Sequence, residues 1–225
     1  MMCISAATDY QADSFILDKD QNRIGCGETI KALGIRLSNR LDMEDHVKYI
    51  IKAVRSRYWT LRNLKLNGFT NEELVQVYKT IIRPVSKYGC VMFHSSLTDE
   101  QDERLERLQD HTLKCIYGTE LSARKLKGLA GLETLRERRE VLAMKFALKC
   151  SRDPVFQDRW FTRNTNRRSG RNGGGEDYLE EKARCERMKN SPIFYFRRLL
   201  NGKIGKEHRS RNKSYREDII SQESV

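Results

Sequence analysis

The sequence predicts a mainly α-helical fold, with a short β-hairpin before the helices and a basic, partly disordered C-terminal region. Three observations lead to this prediction. Apolar residues recur at helical spacing along most of residues 42–150. Two capping boxes, Thr70-Asn-Glu-Glu73 and Thr98-Asp-Glu-Gln101, mark helix starts. Only three prolines occur in 225 residues, so long helices meet few breaks.

Strand signals come first in the chain, over residues 14–38. Ser14–Leu17 is short and partly apolar, and residues 18–22 form a polar turn. Residues 30–37 then alternate, which predicts one strand with Leu33, Ile35 and Leu37 on the same face. Gly34 inside this strand indicates a close backbone approach or a bulge, although ordinary sheet packing would give the same pattern.

A first helix is predicted over residues 42–66. Acidic residues at its start suit the positive end of the helix dipole, and Gly68 ends it. The apolar positions Val47, Ile50, Ile51, Val54, Tyr58, Leu61 and Leu64 follow the i, i+3, i+4, i+7 rule. The other faces carry Lys48, Lys52, Arg55, Arg57, Arg62 and Lys65. Such a basic face is either solvated or follows a phosphate backbone, and the pattern leaves both open.

A second helix begins at the Thr70 capping box. Its predicted apolar face consists of Leu74, Val77, Tyr78, Ile81 and Ile82. Pro84 lacks an N–H group and clashes with the carbonyl four residues back. We therefore expect a kink or break near Arg83.

Further helices follow. The third is predicted from Thr98 to Tyr117, stopped by Gly118, and a basic fourth from Leu132 to Cys150. Short helical segments are expected around residues 178–179 and 193–200. Residues 163–175 are rich in Gly, Asn and Arg and predict a linker, and a mobile basic tail is expected from residue 201.

The net charge of +12 is unevenly distributed. Residues 1–120 hold 17 basic and 17 acidic residues, whereas residues 121–225 hold 26 basic and 14 acidic residues. A basic half indicates a polyanionic partner, most simply nucleic acid, because neutralised phosphates release counterions. The alternative is a solvated tail that is basic for solubility.

The cysteine pattern bears on the redox compartment of the protein, and the hydropathy bears on membrane-spanning segments. The six cysteines include no C-x-x-C pair, which is typical of a reducing compartment. Cys90 and His94 have a metal-compatible spacing, but no second pair accompanies them. The N-terminus lacks signal-peptide features, and the longest uncharged run, residues 88–98, is far below the ~20 residues that span a bilayer. We expect an intracellular protein, nuclear or cytoplasmic, without a membrane partner.

Short motifs occur in a characteristic order. They are Lys31–Ile35, His46-Val47, Glu72–Leu74, Tyr78–Thr80, Arg83-Pro84, Tyr88-Gly89, His94–Thr98, Leu105–Gln109, Ile116–Gly118, Leu132–Arg139 and Lys145–Lys149. This series resembles the region downstream of the palm in reverse transcriptases of non-LTR (LINE-type, jockey-like) retrotransposons, over about residues 14–200. Each motif is weak by itself, and the resemblance rests on their order and spacing.

The resemblance implies three regions with different roles along the chain. Residues 1–41 would be the end of a palm with a primer-grip-like hairpin at Leu33, Gly34 and Ile35. Residues 42–160 would form a helical thumb-like domain, and residues 161–225 a basic linker and C-terminal region. The implied partner is RNA or DNA, as a template–primer duplex or hybrid. The candidate nucleic-acid-binding residues are Lys48, Lys52, Arg55, Arg62, Arg138, Arg139 and Lys145.

Polymerase chemistry is not expected from this chain. Polymerisation needs clustered aspartates that hold two metal ions, and the family supplies them partly from an aromatic-x-Asp-Asp turn. The sequence contains no Asp-Asp pair. We therefore expect no catalytic residue and no cofactor or metal, since Mg²⁺ belongs to a full-length polymerase. The chain would be a fragment that depends on the palm and fingers of a longer parent polypeptide. The alternative is a stand-alone basic helical interaction module with no polymerase role.

Overall fold

The computed structural model describes residues 15–17, 23–25, 29–162, 178–179 and 182–202. It confirms a mainly α-helical fold with an antiparallel hairpin before the helices. In chain order, the strands and helices are β1 (Phe15–Leu17), β2 (Arg23–Gly25), β3 (Thr29–Ala32), β4 (Ile35–Ser38), α1 (Glu44–Arg55), α2 (Tyr58–Leu66), α3 (Asn71–Val77), α4 (Arg83–Lys87), α5 (Cys90–Phe93), α6 (Asp99–Tyr117), α7 (Ala123–Ala130), α8 (Leu135–Arg152), α9 (Pro154–Trp160), α10 (Glu186–Lys189) and α11 (Pro192–Leu200). The predicted polar turn at residues 18–22, the linker at 163–175 and the tail from residue 203 lie outside the described residues.

The chain divides into two compact units. The first consists of Met1–Gly89 and Leu97–Leu135, and the second of Cys90–Ser96 and Arg136–Val225. The first unit contains the β-hairpin, α1–α4, α6 and α7. The second contains α5, nearly all of α8 and the helices that follow it.

The predicted strand over residues 30–37 is in fact a hairpin. Strands β3 and β4 pair antiparallel, with Ala32 opposite Ile35 and Thr29 opposite Ser38. Leu33 and Gly34 form the two-residue turn, with φ of 48° and 85°. Positive φ at both positions is the signature of the turn type that matches strand twist. Leu33 therefore leaves the face shared by Ile35 and Leu37 and lies in solvent, 91% exposed.

The predicted first helix is two helices in succession, α1 and α2. Ser56 and Arg57 between them keep right-handed backbone angles, and the Arg57 N–H donates to Val54 three residues back. This tighter turn separates the two helices without leaving the right-handed helical region of the backbone. Val47, Ile50, Val54 and Leu61 are buried, as the spacing predicts.

Helix α3 begins at Thr70 with the predicted capping box, because Thr70 accepts from the Glu73 N–H and the Glu73 carboxylate accepts from the Thr70 N–H. The expected irregularity before Pro84 takes the form of a π-turn over Tyr78–Ile82, in which the Arg83 N–H donates to Tyr78 five residues back. Pro84 thus lies in the first turn of α4, where a missing N–H is tolerated. Ile81, predicted to be buried, is 51% exposed on the widened turn.

A polar network lies inside the first unit. The buried Tyr78 hydroxyl donates to Gln109 Oε1 at 2.8 Å, and Gln109 Nε2 donates to the Glu133 carbonyl at 2.9 Å. Arg83 Nη2 donates to the same carbonyl at 3.1 Å and lies 3.2 Å from the Glu133 carboxylate. Burial raises the pKa of Tyr78 well above its ordinary value, so the phenol stays a donor. The network joins the π-turn, α6 and the segment before α8.

The second unit has its own apolar core. Its buried residues are Ala143, Met144, Ala147, Cys150, Phe161, Phe196, Leu199 and Leu200. Helix α8 begins at Leu135 rather than Leu132, and α11 matches the helix expected around residues 193–200. The helix expected at residues 178–179 is wrong. Tyr178 instead exchanges hydrogen bonds with the Asn201 side chain, which fixes it in extended form. No helix in the described part of the chain is long and apolar enough to cross a membrane.

Candidate nucleic-acid interface

Helix α1 presents a row of basic side chains on one face. Lys48, Lys52 and Arg55 follow the i, i+4, i+7 spacing, so they lie along one line of the helix surface. All three are exposed, while Val47, Ile50 and Val54 on the opposite side are buried. The burial of the apolar face therefore fixes the direction in which the basic row points.

Helix α6 supplies a second row that faces the same space. Arg104, Arg107, His111 and Lys114 are separated by three, four and three residues, which also places them on one face. Together with the α1 row they line an open groove of about 1030 Å³. The remaining lining residues are Ile51, Tyr58, Leu108, Asp110 and Ala123.

The two rows run in the same direction. Glu44 at the start of α1 contacts Arg104, Tyr58 at the start of α2 donates to the Leu108 carbonyl at 3.2 Å, and Lys65 reaches the end of α6. The α6 row from Arg104 to Lys114 spans about 15 Å at 1.5 Å per residue. That length corresponds to about four base-pair steps of a duplex at 3.4 Å each.

Charge is not uniform along the groove. Near the start of α1, Glu44 pairs with Arg104 at 2.8 Å and with Lys48 at 3.6 Å. The hydrogen bond from Arg104 lowers the pKa of Glu44, which keeps this carboxylate charged. The side chains of Lys52, Arg55 and Lys114 form no ion pair or hydrogen bond within the residues that the structure describes. Asp110, which also lines the groove, pairs with Lys127 at 2.9 Å, so the end of the groove away from Glu44 carries an excess of positive charge.

Tyr58 forms part of the groove wall and is rigidly held. Its ring lies 5.0 Å from the His111 ring, and its hydroxyl is anchored on the Leu108 carbonyl. Burial raises the pKa of Tyr58, so the phenol stays protonated and can donate to the Leu108 carbonyl. The groove thus has cationic edges and a partly aromatic wall.

The other candidate residues are placed differently. Arg62 is exposed on α2 but does not line the groove. Arg138, Arg139 and Lys145 belong to the second unit. Lys145 is exposed and Arg138 half-buried, whereas Arg139 is fully buried at 0% exposure and cannot reach a ligand from that position. We therefore remove Arg139 from the candidate set.

Leu33, Gly34 and Ile35, which the resemblance suggests as primer-grip-like, lie at the tip of the β3–β4 hairpin. The Tyr88 hydroxyl donates to the Leu33 carbonyl at 3.1 Å, and a Cβ atom at Gly34 would lie only 2.9 Å from Tyr88 Cε1. A Cβ atom at Gly89 would lie 2.9 Å from Ile35 Cδ1. Gly34 thus lies in a turn, closely approached by the Tyr88 side chain, whereas the sequence left open a close backbone approach, a bulge or ordinary sheet packing inside a strand.

Sequence reasoning missed the α6 half of the groove. Arg104, Arg107 and Lys114 are interleaved with Glu103, Glu106 and Asp110, and the whole helix holds six acidic and three basic residues, so it is acidic in sequence. Only the α1 half was visible, because residues 46–71 contain six Lys or Arg and no Asp or Glu. That acid-free window lies in the half of the chain whose total charge is balanced.

No metal centre is found among the described residues, since no group of three or more His, Cys, Asp or Glu side chains is placed to hold an ion. Cys90 is buried and His94 half-buried in the second unit. Comparison of the chain with protein-family models, with curated proteins and with solved structures finds no match.

Proposed function

We propose that this chain is a thumb-like segment of a non-LTR retrotransposon reverse transcriptase, which holds nucleic acid by its phosphate backbone and performs no chemistry itself. The observation that carries the proposal is the groove between α1 and α6. Lys48, Lys52 and Arg55, which the resemblance suggested as phosphate contacts, line it together with cations from α6. The family resemblance supports the same assignment through motif order.

Backbone recognition fits the chemistry of the groove better than base recognition. Lysine ammonium groups on long flexible stems act as point charges toward phosphate and carry no sequence information. The uncompensated cations, Lys52, Arg55 and Lys114, are spread over two helices instead of converging on one point. An extended polyanion matches such a layout. RNA or DNA in duplex or hybrid form is the proposed partner, in the nucleus or cytoplasm.

The test measures binding of the full chain to an RNA–DNA hybrid as a function of salt. Two triple variants that lose equal charge are compared. One carries Lys52→Gln, Arg55→Gln and Lys114→Gln in the groove. The other carries Lys31→Gln, Arg40→Gln and Lys125→Gln, which are exposed and outside the groove lining.

The groove variant is expected to reduce the slope of log affinity against log salt by about 2 to 3, at ~0.9 per lost phosphate contact. The control variant should change the slope by less than about 1. Equal slopes for both variants would refute the groove as the binding surface. Absence of salt-dependent binding in the unaltered chain would leave the stand-alone interaction module as the better description.

A further inference from the structure

Trp59 on α2 is exposed in a way that packing does not explain. It is 71% exposed, although tryptophan is usually among the more buried residue types. The helix around it is well docked, because Leu61 is 2% exposed and the Tyr58 hydroxyl is anchored on α6. The indole is therefore held outward by an otherwise well-packed helix.

The neighbours of Trp59 on the helix surface are cationic. Arg62 lies three residues ahead, on the same face of α2, and Arg55 lies four residues back across the tight turn. Neither guanidinium group forms an ion pair or hydrogen bond with another described residue. The nearest acidic residues in sequence are Asp45 and Glu72. An aromatic face between free guanidinium groups is the composition of surfaces that bind unpaired nucleotides.

The position of Trp59 relates it to the groove. Arg55 and Tyr58, which precede it, both line the groove. Successive residues of an α-helix are rotated by about 100°, so Trp59 follows Tyr58 from the wall of the groove to its outer edge. A strand that leaves the groove on the α2 side passes the indole.

We infer that Trp59 is a stacking platform for an unpaired base of the nucleic acid held in the groove, with Arg55 and Arg62 contacting the adjacent phosphates. This inference rests on the proposed function. The ligand is a single-stranded extension of a duplex, because bases inside a duplex are already stacked and do not present a free face. Stacking accepts any base, so no sequence preference is required.

Tryptophan fluorescence gives a direct test, because the chain has only two tryptophans, Trp59 and Trp160. In a full-length Trp160→Phe variant the emission reports Trp59 alone. It is titrated with a blunt RNA–DNA hybrid and with the same hybrid carrying a single-stranded oligothymidine extension. The extended hybrid should quench the emission, and the blunt hybrid should leave it nearly unchanged.

Affinity provides the second readout. Trp59→Ala should weaken binding of the extended hybrid by about 5- to 140-fold, since base–aromatic stacking contributes ~1–3 kcal/mol. Binding of the blunt hybrid should change by less than about twofold. Trp59→Phe should restore most of the loss. Because the side chain is exposed, these variants are expected to keep the circular dichroism spectrum of the unaltered chain.

The outcomes separate the two proposals. Salt-dependent binding with no quenching, and with Trp59→Ala equal to the unaltered chain, would overturn the stacking assignment and leave the groove in place. If the unaltered chain binds no nucleic acid, both the stacking proposal and the groove proposal are overturned. A concentration-dependent blue shift of Trp59 emission without nucleic acid would show that a second copy of the chain covers this face, which would also overturn the assignment.

Discussion

At the scale of single residues, the tip of the β3–β4 hairpin is constrained by a residue far along the chain, Tyr88. Gly34 and Tyr88 are 54 positions apart, yet the tyrosine ring lies where a Gly34 side chain would have to go. The Tyr88 hydroxyl then bonds the Leu33 carbonyl and holds the turn. Leu33 itself adopts φ of 48°, a conformation that costs a non-glycine residue about 1–2 kcal/mol.

Gly34 and Gly68 form a matched pair for a stability prediction. Their φ angles are 85° and 84°, but nothing lies within 4 Å of a Cβ atom at Gly68. Gly68→Ala should cost about 1 kcal/mol from backbone strain alone. Gly34→Ala should cost about 1 kcal/mol more, because the new methyl group meets the Tyr88 ring. Urea unfolding measures both.

The same pair can be checked by removing the obstacle. In a Tyr88→Ala background, Gly34→Ala should cost no more than Gly68→Ala does. If the two glycine substitutions cost the same in the unaltered chain, the tyrosine contact does not constrain the turn.

At the scale of elements, α2 is joined to α6 by a lysine that the helical pattern alone assigns to a solvated face. Lys65 Nζ donates to the Cys115 and Ile116 carbonyls at 2.9 and 2.7 Å. These carbonyls lie in the last turn of α6, where no intrahelical donor is available and the helix dipole is negative. The Lys65 ammonium group of α2 therefore caps the C-terminus of α6.

Lys65→Met is expected to lower the free energy of unfolding by about 1 kcal/mol, because it removes both hydrogen bonds and the favourable charge. Lys52→Met is the control. Lys52 is also exposed, but its side chain forms no hydrogen bond or ion pair with a described residue, and its replacement should change stability by less than about 0.5 kcal/mol. Urea unfolding at low salt is the measurement. Equal effects of the two changes would mean that the Lys65 contacts contribute nothing.

Local signals predicted the helix starts well and the irregular turns poorly. The capping boxes at Thr70 and Thr98 satisfy their own backbone groups, so their effect is independent of the rest of the fold. The turn at Leu33 was hidden, because leucine rarely takes positive φ and the pattern around it alternates like a strand. Helix α7 was also missed, since its eight residues carry only two buried side chains.

At the scale of the whole molecule, charge sums over long segments were a poor guide to the groove. The first 120 residues are neutral in total, but folding places Lys52 and Arg55 of α1 beside Lys114 of α6 while Glu44 compensates only one end. The electrostatic potential in the groove depends on charged residues of α1 and α6 that are about 60 positions apart in sequence. A charge count over a short stretch of sequence cannot contain that information. The apolar faces of the helices, by contrast, could be predicted from the sequence, and their burial determines the direction in which the basic rows point.

A whole-chain prediction concerns activity. The purified chain should extend no primer on an RNA or DNA template with either Mg²⁺ or Mn²⁺, because the sequence has no Asp-Asp pair to hold the two metal ions. A reverse transcriptase of known activity, assayed in parallel, shows that the template and primer are competent. Processive DNA synthesis by the chain would contradict the proposal that it only holds nucleic acid.

The π-turn before Pro84 makes the number of residues between Leu74 and Ser86 depend on the presence of this proline. Leu74, Tyr78, Ile82 and Ser86 are all buried at intervals of four residues. Twelve residues make about three and a third turns of a regular α-helix, which would leave Ser86 about 120° from Leu74, so the wider turn is what keeps them on one side. Deleting the exposed Thr80 would leave eleven residues, close to three regular turns, and would place Pro84 inside an unbroken helix. A one-residue deletion here is therefore compatible with the buried face only when Pro84 is replaced as well.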